Sequence, residues 1–157
     1  MKVFIAGIDG YLGWALAQYL TARGHEVAGN DIFLRRKWVE EVGSDSAIPV
    51  YSIEERLEAF HHRYGKTLPF YDVDLMDYPR LRQILADFKP DAIVHLGEMP
   101  SAPYSMIDQQ HAAFTQSNNV IGSLNILWAM REVCPNAHLV KLGTMGEYGT
   151  PNIDIEE

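Results

Sequence analysis

The chain opens with an apolar run, Val3-Phe4-Ile5-Ala6, that passes directly into Gly7-Ile8-Asp9-Gly10-Tyr11-Leu12-Gly13. No other feature narrows the fold as much. A short buried strand running into G-x-x-G-x-x-G and then into a helix is the opening of a dinucleotide-binding βαβ unit. Gly7 permits the tight turn, Gly10 has no side chain to hold a pyrophosphate off the backbone, and Gly13 lets the helix lie close on the strand. The helix start offers unpaired N–H groups and a positive dipole end, so the turn suits an anion. Asp9, Tyr11 and Leu12 fill the intervening positions and are expected, with the three glycines, among the cofactor contacts.

The rest of the chain alternates short apolar runs with longer amphipathic segments, the pattern of an α/β fold with a parallel sheet. Strands are predicted over Val3–Ala6, Glu26–Asn30, Leu68–Val73, Ala92–Leu96 and Ala137–Leu142. A helix is predicted from Leu12 to Ala22, with Leu12, Leu16 and Leu20 spaced for one face. A second runs from a Ser52/Glu55 capping box to Tyr64 and stops at Gly65. A third covers Tyr78–Phe88 behind a cap at Asp77. A long helical stretch from Met106 to Val133 is expected to break near Asn118–Asn119, with Pro135 forcing the stop. Ile32–Pro49 reads as irregular and Gly143–Glu157 as a loop. The segment of about 36–67 is long for a connection between neighbouring strands. It reads as an inserted excursion with its own helix: a lid, a partner contact, or a surface elaboration. Residues 1–157 together read as one Rossmann-type domain, a doubly wound parallel sheet.

Composition excludes several classes. A net charge of −8 and a pI near 5.2 do not suit nucleic acid or an anionic membrane, both of which need clustered Lys and Arg. No stretch approaches the roughly 18 apolar residues of a membrane helix, so no membrane insertion is expected, and the N-terminus does not read as a signal peptide. Cys134 is the single cysteine, so neither an intrachain disulfide nor a cysteine-based metal site is available. It reads as a buried structural thiol in a protein of a reducing compartment, expected to be cytoplasmic. His61-His62 has no partner at metal-ligand spacing, and no metal is assigned.

Asp31 ends the second predicted strand 18 residues beyond Gly13, close to the offset of about 20 for an acid that binds ribose hydroxyls. A carboxylate there repels a 2′-phosphate, which favours NAD. Arg35 and Arg36 follow closely and are either acceptors of such a phosphate or simply solvated. Asp74, after the third strand, is placed to receive an adenine amino group, with Leu75 against the ring; the alternative is that an acid here caps the turn. His95 lies within an apolar strand and reads as a satisfied core histidine.

These residues, with His95-Leu96-Gly97-Glu98 and Asn119-Val-Ile-Gly122-Ser123, resemble the extended short-chain dehydrogenase/reductases, which bind NAD(P) and act mostly on nucleotide sugars. Within them, Ser101-Ala-Pro-Tyr-Ser-Met106-Ile-Asp108, Asn118-Asn119-Val-Ile-Gly122, Gly43-Ser-Asp-Ser-Ala-Ile-Pro and above all Lys141-Leu-Gly-Thr144-Met-Gly-Glu147-Tyr-Gly-Thr-Pro-Asn-Ile-Asp-Ile-Glu156 are similar to the UDP-sulfoquinovose synthase family. The resemblance implies conversion of UDP-glucose and sulfite to UDP-sulfoquinovose through a 4-keto-5-ene sugar, with NAD regenerated in place. It implies catalytic roles for Thr144, hydrogen-bonded to the sugar C4 oxygen, and for Glu147 as an acid or base. It implies cofactor roles for Leu96, Gly97, Glu98 and Asn119, substrate contacts for Ser101, Tyr104 and Thr144, and pairing as a homodimer.

The chain departs from that family in three places. Met99-Pro100 stands where the family usually has an arginine before Ser-Ala-Pro-Tyr-Ser. Ile32 stands where it usually has Asn. No Tyr is followed by Lys at the Tyr-x-x-x-Lys spacing that supplies the superfamily's catalytic pair. The sequence therefore reads as an N-terminal portion, truncated before the C-terminal substrate-binding part. Two rivals stand beside this reading: another nucleotide-sugar 4-epimerase or dehydratase, and a non-catalytic NAD-binding module.

Overall fold

The structure, a computed structural model, describes residues 1–143. Five strands form one all-parallel sheet: β1 (Lys2–Ala6), β2 (Glu26–Asp31), β3 (Phe70–Asp72), β4 (Ala92–His95) and β5 (His138–Lys141), in the order β3-β2-β1-β4-β5. Strand order reverses at β1, so the chain winds first to one side and then to the other. The crevice at the carboxyl ends of β1 and β4 is where such a sheet binds its ligand. Register places Ala6 opposite both Asn30 of β2 and His95 of β4, so the glycine turn rises between the ends of those two strands.

Both faces of the sheet are covered, which parallel strands require. Val3, Ile5 and Val27 pack on one face with Ile8, Ala17, Phe60 and Leu68. That face is closed by α1 (Tyr11–Ala22) and α3 (Ile53–Tyr64). Phe4, Ala6, Ala28 and Ile93 pack on the other face with Leu81, Leu85, Phe88, Ile126 and Ala129. These last residues belong to α4 (Tyr78–Phe88) and α7 (Gly122–Val133). Strand alternation alone divides Val3 and Ile5 from Phe4 and Ala6.

Several local expectations match the structure. Ser52 Oγ accepts from Glu55 N while the Glu55 carboxylate accepts from Ser52 N, and Gly65 ends that helix at φ +63°. Asp77 caps α4 through Arg80 N. The long helical stretch does break at Asn118–Asn119: α6 (Gln109–Gln116) passes into a π-helical turn over Ser117–Ile121 and then into α7. Cys134 is buried, and burial raises its thiol pKa.

Three expectations need correction. The residues read as irregular after Asp31 contain α2 (Leu34–Glu41), so the excursion carries two helices. A short helix, α5 (Ala102–Ser105), interrupts the loop after β4. Of the three leucines expected on one face of α1, Leu16 and Leu20 pack on the core but Leu12 is half exposed, and the fully buried positions are Gly13, Ala17 and Thr21. Small residues take the closest positions because helix and strand approach too closely at the glycine turn for a larger side chain.

Candidate functional site

The close approach that shapes the site is measurable at the glycines. Gly7 has φ +85°, and a Cβ built there would stand 2.8 Å from Gly97 N and from Leu96 C. A Cβ on Gly13 would stand 2.2 Å from Gly7 O. Only hydrogen fits at either position. Gly10 differs: its φ is −64°, and a Cβ would meet just Gly7 O at 3.4 Å. Space beside Gly10 is therefore open, at the first turn of α1, where no side chain caps the N–H groups.

That open space belongs to a cleft of about 950 Å³. Its floor is the glycine turn, with Tyr11 and Leu12 on the rim of α1. One side is built from Asn30, Asp31, Ile32, Leu34, Arg35, Trp38, Val73, Asp74 and Leu75, and the other from His95 to Pro100, Asn118, Asn119 and Lys141 to Gly143. Asp31 Oδ2 accepts from Asp9 N at 2.9 Å, and Oδ1 accepts from Ile32 N and Phe33 N. Burial outweighs these bonds and the pKa of Asp31 is raised. Asp74 Oδ1 accepts from Met76 N at 2.9 Å, so Asp74 caps its turn, and the residue also borders the cleft.

The far end is polar and tightly tied. Asn119 grips the backbone of Met99 from both directions, its Oδ1 accepting from Met99 N at 2.8 Å and its Nδ2 donating to Met99 O at 3.0 Å. Asn118 donates to Gly97 O and to Asn119 Oδ1. The π-helical turn sets these two neighbours at the cleft together, in keeping with such turns recurring at functional sites. Ser123 Oγ donates to Asn119 O at 2.6 Å and also lies 3.3 Å from Glu98 Oε1, and His95 Nε2 is hydrogen-bonded to the same hydroxyl at 3.0 Å. The ring is 1% exposed, burial lowers its pKa, and Nδ1 has no partner among the described residues. The expectation of a satisfied histidine therefore holds at one nitrogen and fails at the other. Glu98 completes the group through Lys141 Nζ at 3.0 Å.

Some expected contacts are engaged elsewhere. Asp9 is 8% exposed and its carboxylate is clamped by Arg36, through Nε and Nη2 at 2.8 Å each, and by Arg56. Arg36 is thereby drawn to Asp9, while Arg35 borders the cleft. Ser101 Oγ caps α5 by accepting from Tyr104 N, and the Tyr104 hydroxyl donates to Glu41 at 2.9 Å; neither residue borders the cleft. Thr144 and Glu147 lie outside the described residues. Sequence reasoning missed Arg56, Trp38, Glu41, His111 and Lys141, whose roles come from partners distant in the chain. Among the described residues no three His, Cys, Asp or Glu side chains gather as a metal site, and no helix is long and apolar enough to cross a membrane.

A dinucleotide fits this donor set. The open space at Gly10 leads to uncapped N–H groups, Asp31 presents a carboxylate at the end of β2, and Asp74 with Leu75 lies beside it. The chain belongs to the NAD dependent epimerase/dehydratase family, which it matches over residues 3–157, and NAD is that family's cofactor. Two curated relatives sharpen the likeness. The chain is 48% identical to the UDP-sulfoquinovose synthase of Sulfolobus acidocaldarius over 157 residues, all of this chain and 40% of that protein. It is 47% identical to the chloroplastic UDP-sulfoquinovose synthase of Spinacia oleracea over 156 residues, 99% of this chain and 32% of that one. The chain thus spans about a third to two fifths of these relatives. The fold is shared with UDP-glucose-4-epimerase of Stenotrophomonas maltophila, solved with bound NAD and formylated UDP-arabinopyranose, at a TM-score of 0.71 and 23% identity over 98% of this chain and 40% of that one.

Proposed function

We propose that this chain is the NAD-holding part of an enzyme that converts UDP-glucose and sulfite to UDP-sulfoquinovose by way of a 4-keto-5-ene sugar. The observation that carries the reading is the likeness to two UDP-sulfoquinovose synthases along the whole chain, at 47% and 48% identity. When bound, NAD supplies a hydride acceptor for the sugar C4 position and the donor that later returns the hydride. The α1 N-terminus at Gly10 would neutralise the pyrophosphate, Asp31 would accept from the ribose hydroxyls, and Asp74 and Leu75 would hold the adenine. Arg35 lines the same cleft, whereas Arg36 is engaged by Asp9. Leu96, Gly97 and Glu98 border the end of the cleft nearest β4, where Asn119 fixes the loop.

The resemblance assigns chemistry on the sugar to Thr144 as hydrogen-bond donor at the C4 oxygen and to Glu147 as acid or base at C5–C6. The resemblance assigns substrate contact to Ser101 and Tyr104, which do not line the cleft and instead cap α5 and hold Glu41. The chain carries no Tyr-x-x-x-Lys, so cofactor binding without turnover is expected of it alone. A cytoplasmic homodimer is the expected state of the enzyme.

The test is product analysis. The chain, supplied with the remaining two thirds of a relative's sequence, is incubated with UDP-glucose, bound NAD and sulfite; a sulfonated nucleotide sugar supports the reading and its absence rejects it. Pro100, exposed at the cleft where the family usually has arginine nearby, favours a second reading, a different nucleotide-sugar 4-epimerase or dehydratase. Turnover of UDP-glucose that proceeds unchanged without sulfite would select it.

A further inference from the structure

The connection from β2 to β3 crosses the sheet. β2 lies on one side of β1 and β4 lies on the other, yet α2, which starts just after β2, docks on elements that follow β4. Trp38 packs against Tyr104 at 5.7 Å and Phe114 at 5.6 Å between ring centroids, with Met99 in the same small core. To reach them α2 passes over the carboxyl ends of β1 and β4, the mouth of the cleft, and Leu34, Arg35 and Trp38 line that mouth. Eight residues make a strap about 12 Å long.

The strap is bolted at both ends. Near its start, Arg36 holds Asp9 of the glycine turn by two bonds of 2.8 Å, and Arg56 of α3 holds the same carboxylate. At its last residue, Glu41 accepts from the Tyr104 hydroxyl at 2.9 Å and pairs with His111 Nε2 at 3.0 Å. His111 Nδ1 in turn contacts Asp108 at 2.6 Å. The two bolts differ in kind: arginine stays charged at every working pH, and histidine does not.

We propose that Glu41 and His111 are positioning residues that clasp α2 across the cofactor cleft, so that a bound dinucleotide leaves when this clasp opens and the Arg36–Asp9 end serves as the hinge. The proposal rests on the reading that NAD occupies the cleft. An imidazolium donates from both nitrogens, to Asp108 and Glu41 together; a neutral imidazole donates from one, so one carboxylate then loses its donor. The titratable groups facing His111 are Asp108 at the cap of α6, Glu41 from α2 and Tyr104 from α5, whose ring lies edge-on at 4.7 Å. The two carboxylates hold the His111 pKa above its usual value. The clasp is therefore closed below that raised pKa and loosens as pH rises through it.

The measurement is release of NADH from the chain, chased with excess NAD⁺ and followed by NADH fluorescence from about pH 6 to about pH 9, a range that brackets a histidine held above its usual 6.5 or so. Release should quicken a few-fold across the window, the worth of a partly exposed ion pair. Glu41→Gln and His111→Asn should release NADH a few-fold faster at the acid end and show a flattened pH profile, with slow release partly restored in Glu41→Asp. Tyr104→Phe, which keeps the packed ring, should release a few-fold faster at every pH and keep the profile, and it provides a second reading should Glu41→Gln fold poorly. Variants that bind NADH and release it with the parent's rate and pH profile would overturn the clasp alone. A parent chain that binds no NADH would overturn the cofactor reading and the clasp with it.

Discussion

The two glycines that flank Tyr11 and Leu12 lend themselves to one decisive experiment, because the structure separates what each does. Gly13→Ala places a Cβ 2.2 Å from Gly7 O and 2.8 Å from Ile8 Cα. Both neighbours are backbone, so the turn itself has to move. Helix propensity favours alanine by about 1 kcal/mol, while overpacking against rigid atoms costs about 3 kcal/mol, leaving a net loss of about 2 kcal/mol. For a chain of this size that lowers the melting temperature by roughly 4–8 °C. Gly10→Ala meets one atom, at 3.4 Å, with an ordinary φ of −64°. The loss of a good helix cap, up to about 1 kcal/mol, is offset by about 0.4–1 kcal/mol from a stiffer unfolded chain, so the melt should scarcely move. Its methyl group occupies the pyrophosphate's approach, however. Loss of one charged hydrogen bond, about 1.5–3 kcal/mol, weakens NADH binding roughly ten- to hundredfold. Circular dichroism melts without cofactor and NADH fluorescence titration read the two axes separately. A Gly10→Ala chain that binds as tightly as the parent would refute the placement of the pyrophosphate; a Gly13→Ala chain with an unchanged melt would refute the close-packing argument.

Three further outcomes follow from particular contacts. Burial raises the pKa of Asp31, so the ionised form is disfavoured in the fold. On acidification Asp31 takes up its proton at a higher pH than an ordinary aspartate. That uptake favours the folded state at this site while removing the acceptor for the ribose hydroxyls. NADH affinity should thus begin to fall above the usual aspartate range, and Asp31→Asn should flatten that acid limb and narrow the preference for NADH over NADPH; parallel titrations of parent and variant check both. Arg56→Met leaves buried Asp9 with Arg36 alone and removes the guanidinium stacked 4.0 Å over Trp14. It should cost about 2–3 kcal/mol, read as a drop of roughly 4–12 °C in the melt. Ser52→Ala breaks the capping box of α3 and should cost about 1 kcal/mol by urea unfolding, with Ser52→Thr close to the parent.

What the sequence disclosed and what it withheld divide along a physical line. The glycine turn, the Ser52/Glu55 box, the Asp77 cap and the break at Asn118–Asn119 were legible because each is a local interaction between residues a few positions apart. α2 was not, and its start shows why. Phe33, at its N-cap, sits in the left-handed region at φ +59° and supplies no side-chain cap. Eight residues without a cap are marginal as an isolated helix. Its order comes from Trp38 in a distant aromatic cluster and from Arg36 and Glu41, whose partners lie 27 to 70 positions away. The site divides in the same way. Asp31 and the glycines were marked by spacing, whereas the clamp on Asp9 was invisible, since nothing in Gly-Ile-Asp-Gly announces two arginines arriving from the excursion. Leu16 and Leu20 do pack on the core as their spacing indicates, whereas Leu12 does not, because periodicity reports a face, not how closely each position on it can approach a sheet.

The long β2–β3 connection acquires a reason once its route is considered with the chemistry proposed for the cleft. A cofactor exchanged at every turnover gains from an open crevice, and a short connection along the sheet edge would leave one. A hydride that is lent to NAD and then returned to the same sugar gains from the opposite arrangement, because release of the reduced cofactor between the two transfers strands the intermediate. Spanning the mouth requires a segment that starts beside the ribose end, at Asp31, and finishes beside the loop that Asn119 holds. α2 does this in eight residues. Its polar bolts also set the order of opening. The Asp9 end combines two arginines on one buried carboxylate and resists both pH and thermal fraying, while the Glu41 end, itself partly exposed, depends on a histidine and a phenol. A strap fixed in this way swings from the glycine turn and opens first over Met99 and Pro100, the end of the cleft nearest β4, so the adenosine end stays covered longest.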